Sequence, residues 1–568
     1  MEKVIERIKT ALIDSIHGVD PTYIGTVVLS APLLQFGDYS TNIAMILARQ
    51  LKRSPLEIAE AIAAGIKKSE DVEKIQVLKP GFVNIWLSQK ALTPSLAEAV
   101  QNRFSFPSFH FGNEKKVMVE FAHPNTLKLF HIGHLRNIST GESVVRLLEA
   151  VGNKVIRSNY QGDVGLHIGK TLWKMKQFIA ELGIEKVRAL SLHDKIALLG
   201  KAYAQAETAY GENEQAKKEI YEINKMVYEE SSDIMDLWNE TRQWSVSYFE
   251  EIYKRVYSHF DRCYFESEVH KVGLATSKDL LEKGILEKSE GAVVFNGEKY
   301  GLDTRVFING LGFPTYEGKE LGLAQKEFND FGKLDKNIHV VTPEQTSFFK
   351  ITFKVEELMD KEKYGGKQFH LAYEWVKLKE GKMSSRMGNV VEGAWILDEI
   401  KKKITEKFKD SELIAETLAV ASVKYSFLKN STSSVIAFDI DESISLEGNS
   451  APYILYTYVR TQSILKKEEV APSKDLAVAQ LGEAELSIIR LLYQYREKVR
   501  KAAETLSPNI VANYLYELTR EYNLFYQKNP ILKAEKEVKE ARIAITQAVG
   551  ATIKHGLGLM GIETVERM

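Results

Sequence analysis

Cysteine is almost absent: Cys263 stands alone in 568 residues. An intramolecular disulfide is therefore impossible, and no cysteine-based zinc site can be assembled. Long apolar runs are missing too; none approaches the ~18 residues that suggest a membrane span. The opening MEKVIERIKTALIDSI is an amphipathic helical pattern carrying Glu2, Glu6 and Asp14. It has neither the unbroken apolar core of a secretory leader nor the acid-poor composition of a transit peptide. The expected setting is the cytoplasm, with no membrane contact. Net charge is close to nil, at −1 from 76 basic and 77 acidic side chains. That excludes a chain that grips nucleic acid by overall positive charge, but not a local basic surface. KKKITEKFK, residues 401–409, is locally basic, and its default reading is a solvated helix face. Internal repeats and low-complexity segments are also lacking.

What remains is an ordinary globular composition, 44% apolar and 27% charged, over a length that suits two to four domains. Residues 1–105 read as a small α+β unit: a helix, then YIGTVVLSAP, FGDYSTNIAMILARQL, and LKPGFVNIWLS as a strand. NRFSFPSFHFGNEKK is aromatic and turn-rich, as a linker would be. Residues 112–400 alternate strand and helix, an α/β pattern interrupted over about 170–258 by long charged helical sequence. Strands return with GAVVFNGE, GLDTRVFING and KNIHVVTPEQ. Residues 401–568 read as helical to the end, broken by EEVAPSKDLAVAQL as a loop.

Two segments carry chemistry. In VMVEFAHPNTLKLFHIGHLRN, residues 117–137, Val117, Val119 and Phe121 alternate as a buried strand, and a His-Pro-Asn turn follows. A helical pattern then begins with Leu135 and Ile138. His131, Gly133 and His134 thus fall where a strand hands over to a helix, which in parallel sheets is where ligands sit. Gly133 lets a flat ligand approach the backbone, and the histidines have hydrogens to offer phosphate oxygens. The competing readings are a surface histidine pair or half of a zinc site, and no further zinc ligands stand at suitable spacing, so no resident metal is expected. The second segment, LKEGKMSSRMGNVV, places Lys382, Ser384, Ser385 and Arg386 in a cationic, hydroxyl-rich loop suited to a phosphate chain. Alone, such a loop is equally a solvated surface feature.

Together, HIGH early in one half of a Rossmann-like domain and KMSSR late in the other resemble the paired signatures of class I aminoacyl-tRNA synthetases. Pro124, Asn125, Lys128 and His131, with NYQGDVG at residues 159–165, narrow the resemblance to the arginyl-tRNA synthetases. FGDYSTNIA and KPGFVNIWLS resemble that family's amino-terminal domain. SAPYILYTYVRTQSIL, NYLYELTREYNLFYQKNPIL and GLGLMGIETVERM resemble its helical anticodon-binding domain.

The resemblance implies a multidomain ligase: a tRNA-contacting α+β domain, a Rossmann-like catalytic domain with a helical insertion, and an all-α carboxyl-terminal domain. Its substrates would be ATP, with Mg²⁺ carried on the phosphates, L-arginine and tRNA(Arg), and the expected state is a monomer. His131, His134, Lys128 and Lys382 would be catalytic, with Gly133, Ser384 and Ser385 also binding ATP. Asn125 and Gln345 would hold the α-amino and carboxylate end of arginine, while Tyr316, Glu320, Glu266 and Glu120 would meet its guanidinium. Tyr316 and Glu320, four apart, share a helix face; for Glu266 and Glu120, structural ion pairing competes with substrate contact. Two positions depart from the family pattern: Glu320 where Asp is frequent, and Thr342 where Gly is frequent. The alternatives are a non-catalytic RNA-binding synthetase paralogue and an HxGH nucleotidylyltransferase, which leaves the helical carboxyl third unexplained.

Overall fold

The computed structural model describes residues 2–14, 29, 34–66, 70–101, 114–379, 391–408, 412–467 and 481–568. The KMSSR loop, the body of the aromatic linker, most of YIGTVVLSAP and nearly all of EEVAPSKDLAVAQL lie outside them.

The amino-terminal unit comprises helix α1 (Glu2–Asp14), strand β1 (Tyr39–Thr41), helices α2 (Ile43–Leu51) and α3 (Pro55–Ile66), strands β2 (Val72–Leu78) and β3 (Phe82–Leu87), and helix α4 (Gln89–Gln101). Its antiparallel sheet runs β1-β3-β2. Within the FGDYSTN stretch residues 37–41 are buried, β1 included, while Phe36 and Asn42 at its ends are exposed. Asp38 is fully buried, accepts the Leu87 N–H at 2.7 Å and pairs with Arg490, while Tyr39 donates to the Tyr493 hydroxyl at 3.2 Å. The buried carboxylate just before β1 thus locks the small sheet to the helix Glu483–Glu504 of the carboxyl-terminal domain.

The central domain is a five-stranded, wholly parallel sheet of β4 (Lys116–Glu120), β5 (Lys154–Gln161), β6 (Arg262–Phe265), β10 (Lys336–Val341) and β11 (Gln368–Ala372), in the order β11-β10-β4-β5-β6. Its strands are apolar because helices cover them. Chain order runs outward from β4 to one edge, then returns to β10 and the other edge. The switch point lies between β4 and β10, where ligands bind in open α/β sheets. Helix α5 (Ile132–Ala150) links β4 to β5 and is nearly all buried, its polar Arg136, Asn137 and Glu142 included. Between β5 and β6 stand five helices: α6 (Leu166–Leu182), α7 (Ile184–Arg188), α8 (Leu192–Glu212), α9 (Glu214–Tyr228) and α10 (Ser232–Arg255). This is the helical interruption expected from the charged sequence.

Helix α11 (Glu266–Glu282) follows β6, and a three-stranded antiparallel sheet of β7 (Glu287–Ser289), β8 (Ala292–Phe295) and β9 (Arg305–Ile308) intervenes before α12 (Tyr316–Phe331). Helices α13 (Thr346–Met359) and α14 (Lys361–Tyr364) connect β10 to β11. Beyond residue 401 the chain is not helical throughout. Strand β13 (Ile436–Phe438) pairs in parallel with β12 (Val376–Leu378), so this stretch returns to the central domain. Two lysines of the 401–409 tract are ion-paired: Lys401 to Glu412 and Glu416, and Lys403 to Asp441. The helices Ala451–Leu465, Glu483–Glu504, Asn509–Lys528 and Lys536–Leu559 form the carboxyl-terminal bundle.

Candidate active site

The loop from β4 to α5 is held in an unfavourable backbone. Ala122, His123 and Leu127 have φ of 78°, 49° and 61°, a region that side chains rarely adopt. Each strained amide is pinned by a side chain from elsewhere. The Ala122 N–H donates to Asn137 Oδ1 at 2.6 Å, that of His123 to Asn159 Oδ1 at 3.2 Å, and that of Leu127 to Ser245 Oγ at 2.9 Å. Asn137 itself donates to the Val340 carbonyl and the Tyr373 hydroxyl, which fixes β4 against β10. The loop's shape is therefore set by α5, β5 and α10 together.

At the start of α5 the two histidines cap the helix reciprocally. His131 Nδ1 accepts the Gly133 N–H at 3.1 Å, and His134 Nδ1 accepts the His131 N–H at 3.1 Å. With both Nδ1 lone pairs engaged, each neutral ring carries its hydrogen on Nε2. Burial keeps them neutral: His131 is pulled down to about 4 by burial and by Lys128, and His134 falls well below the usual histidine range. Their rings stack with centroids 3.7 Å apart. The result is a pair of fixed N–H donors at a helix amino end, a geometry that receives phosphate oxygens. A Cβ at Gly133 would meet the His131 ring at 2.9 Å, so the imidazole itself calls for glycine here. Lys128 lies over the Tyr203 ring of α8 at 4.5 Å, its basicity lowered by burial.

The ends of the undescribed KMSSR segment both reach this helix. On its exit side the Ile132 N–H donates to the Val391 carbonyl at 2.9 Å, and the Gly393 N–H to the Phe130 carbonyl at 2.8 Å. On its entry side Arg136 donates to the Trp375 carbonyl at 2.7 Å, next to β12. Lys382, Ser384 and Ser385 lie outside the described residues; the described chain resumes beside His131 at Val391.

Asn125 bridges to Gly162, whose added Cβ would stand 2.2 Å from Asn125 Oδ1; the glycine of NYQGDVG makes room for that side chain. The neighbouring Asp163 is buried and accepts from Ser267 N–H, Ser267 Oγ and Arg242, which anchors the start of α11. Gln345 is exposed on the turn after β10, at the same sheet end.

The acidic residues separate into two groups. Glu266 is paired with Lys319 at 3.0 Å, both buried, so its charge is already balanced. Glu320, only 4% exposed, is no solvated helix glutamate. Its Oε1 is 4.0 Å from His339 Nδ1 and makes no hydrogen bond. Glu120 Oε1 lies 3.3 Å from the same nitrogen, and its Oε2 is also unpartnered. Neither has a Lys or Arg partner among the described residues. Burial pushes Glu120 up to about 7 and Glu320 up to about 8, the latter reinforced by neighbouring Glu120 and Glu327. The Tyr160 hydroxyl, buried nearby and electrostatically exposed to both glutamates, is unpartnered as well. Buried, unsatisfied carboxylates with no cation are costly in an empty site and match an absent cationic ligand. Tyr316, four residues before Glu320 in α12, is 67% exposed at the helix's first turn, with Lys319 Nζ 5.4 Å from its ring. It stands at the rim while Glu320 points into the base. The residues around the base, Tyr160, Glu327, His339 and Glu356, escaped the sequence reading. Their signals were slight: a histidine inside the apolar strand NIHVV, and Glu327 seven residues after Glu320 on one helix face.

Comparison with known proteins agrees. A model described as tRNA synthetases class I (R), catalytic domain, matches residues 96–439. The chain belongs to the arginyl-tRNA synthetases. Its residues 2–87 match the arginyl-tRNA synthetase N-terminal domain, and residues 454–568 the DALR anticodon binding domain. It is 31% identical to the arginine–tRNA ligase of Bdellovibrio bacteriovorus, covering 95% of this chain and 94% of that one. With that of Fusobacterium nucleatum it shares 31% identity over 94% of each. Among solved structures, the Thermus thermophilus arginyl-tRNA synthetase superposes with a TM-score of 0.80 at 25% identity over 99% of both chains. The Plasmodium falciparum enzyme has the same fold, with a TM-score of 0.80 at 20% identity over 99% of both chains. Among the described residues no three His, Cys, Asp or Glu side chains converge as a metal site, and no helix is long and apolar enough to cross a membrane.

Proposed function

We propose that this chain joins arginine to its tRNA in two steps, with activation at the carboxyl ends of β4 and β10. An arginine carboxylate oxygen attacks the α-phosphorus of ATP; the new O–P bond gives arginyl-adenylate and pyrophosphate leaves. A ribose hydroxyl at the tRNA 3′ end, the 2′-OH in the class I pattern, then takes the arginyl group and releases AMP. The observation that carries this reading is the pair Glu120 and Glu320: buried, unpartnered by any described Lys or Arg, and at the sheet end that also holds two neutral histidine donors.

In this reading the guanidinium enters between Glu120 and Glu320 beneath Tyr316, replacing missing partners with its own N–H fork. Asn125 and Gln345 hold the α-amino and carboxylate end. Glu266 serves at one remove, by neutralising Lys319. His131 and His134 donate their Nε2 hydrogens to the phosphates, and Lys128 opposes the charge spreading onto pyrophosphate, with Lys382, Ser384 and Ser385 completing the cradle. Mg²⁺ arrives on the phosphate oxygens of ATP and supplies further charge neutralisation.

The anticodon end is assigned to the carboxyl-terminal bundle. There Arg460 lies between the Tyr456 and Tyr526 rings, 4.9 Å from each centroid. It borders a cavity of about 420 Å³ edged by Lys467 and Lys533. Aromatic faces with basic neighbours stack and steer single-stranded bases. The amino-terminal unit would touch tRNA through surfaces other than the buried residues 37–41, and the chain works as a cytoplasmic monomer. The test is charging of bulk tRNA with each labelled amino acid and ATP. Label from arginine alone is expected; transfer of a different amino acid, or of none, overturns the reading.

A further inference from the structure

Glu120, His339, Gln368 and Glu356 form an unbroken line through β4, β10, β11 and α13. Glu120 Oε1 is 3.3 Å from His339 Nδ1, His339 Nε2 is 2.9 Å from Gln368 Oε1, and Gln368 Nε2 donates to Glu356 Oε2 at 2.6 Å. Each of these contacts needs a hydrogen between its heavy atoms. The Gln368 amide supplies one and a neutral imidazole supplies one, but ionised carboxylates supply none. The third contact therefore requires an additional proton. Reversing the Gln368 amide moves that proton from the Glu120 end to Glu356 without removing it.

The surroundings favour its retention. Glu327 of α12 hydrogen-bonds Glu120 and is itself held well above the ordinary carboxyl range, while Glu320 faces the line and, with Glu317, adds negative potential. From β5 come the Tyr160 hydroxyl and Ser158, which reaches Glu327. His123 stands beside Glu120, and His370 flanks His339 across the sheet. Phe349 and Phe353 close over the imidazole, with ring centroids 5.1 and 5.3 Å away. The buried cation of α12, Lys319, is committed to Glu266. Glu356 is itself fully buried and held well above the ordinary carboxyl range, by burial first and by Glu320 next.

We propose that His339, Gln368 and Glu356 are positioning residues that hold one proton behind Glu120 in the empty pocket and release it when a guanidinium binds. Arginine entry is then an exchange of one cation for another. This rests on the reading that Glu120 and Glu320 receive the guanidinium. Two positive charges in one buried space repel, and the arriving N–H fork satisfies the carboxylates that the proton had served. The proton, unlike the guanidinium, can leave to solvent. A neutral isostere such as citrulline brings no charge and leaves the proton in place, so arginine preference grows with pH while the empty pocket is protonated. The sign follows from linkage: a proton lost on binding makes affinity rise with pH, by about tenfold per unit for one proton. With Glu120 near 7 and Glu320 near 8 in the empty site, the window is below about pH 7.

The test is calorimetric titration of the full chain with arginine at pH 6.5, in buffers of differing ionisation enthalpy. The slope of observed heat against buffer enthalpy counts protons. At least one released per arginine is expected, none with citrulline, and the arginine Kd should fall at least about tenfold from pH 5.5 to 6.5. In Glu356→Gln the new amide supplies the missing hydrogen, so arginine should still bind while proton release falls by about one per arginine. Arginine binding with no buffer dependence in the parent overturns the proposal and leaves the pocket reading intact. Equal release in parent and Glu356→Gln overturns the role of the line, and the parent measurement stands even if that variant does not fold. No arginine binding in the parent overturns the pocket reading itself.

Discussion

Gly133→Ala isolates what the two histidines do. Alanine is about 1 kcal/mol better than glycine in a helix interior, so propensity alone predicts a more stable α5. Its Cβ, however, would sit 2.9 Å from Nδ1 and Cε1 of His131, too close for either atom. The imidazole must swing away, and the 3.1 Å cap from the Gly133 N–H goes with it. Losing such a cap costs about 0.5–2 kcal/mol, so stability changes by little in either direction. Catalysis does not balance in the same way. The His131 ring stacks on His134 at 3.7 Å, so both Nε2 donors lose their aim together. Removing one preorganised donor typically lowers kcat by about 10²–10³-fold, or roughly 2.7–4 kcal/mol. Arginine-dependent pyrophosphate exchange in the presence of tRNA, run beside thermal melts, separates the two quantities. The expected result is a nearly unchanged melting curve, a kcat lower by about 10²-fold, and a much smaller change in KM for ATP. A folded Gly133→Ala enzyme with kcat within about threefold of the parent would refute the assignment of the Nε2 hydrogens to the phosphates.

Glu320→Gln keeps size and removes charge; kcat/KM for arginine should fall by about 10²-fold or more while preference over citrulline shrinks, and Glu320→Asp should be milder. If Glu320→Gln charges arginine like the parent, the carboxylate lies outside the pocket. Pyrophosphate exchange should depend on tRNA, because the HIGH helix and the KMSSR segment come from distant parts of the chain and an RNA end would complete their placement; equal rates with and without tRNA would contradict this. Asn137→Ala strips the partner from the Ala122 N–H and the Val340 carbonyl, both buried, and should cost about 2–4 kcal/mol in urea unfolding. A loss under about 0.5 kcal/mol would mean the strained loop holds itself.

The sequence by itself determined the local pieces. The strand, turn and helix around His131 were legible because apolar alternation, a Pro-Asn turn and a 3.6-residue pattern are properties of neighbouring residues. So was the helical interruption between β5 and β6, and so was the pairing of HIGH with KMSSR as a signature. Charge state was not legible. Glu266 and Glu320 look alike along the chain, yet Lys319 neutralises the first while the second faces His339 with a free oxygen. Glu120, for which ion pairing and substrate contact compete on sequence, lies beside Glu320 because β4 pairs with β10, register by register, and brings Glu120 opposite His339. Nothing around Asp38 in FGDYSTN announces its partner, Arg490, more than four hundred residues away. Burial and partnership of a charge are set by which distant segments converge, and nothing in the local pattern of a chain encodes that convergence. Which acids await a cation, and which already have one, was decided by the tertiary structure alone.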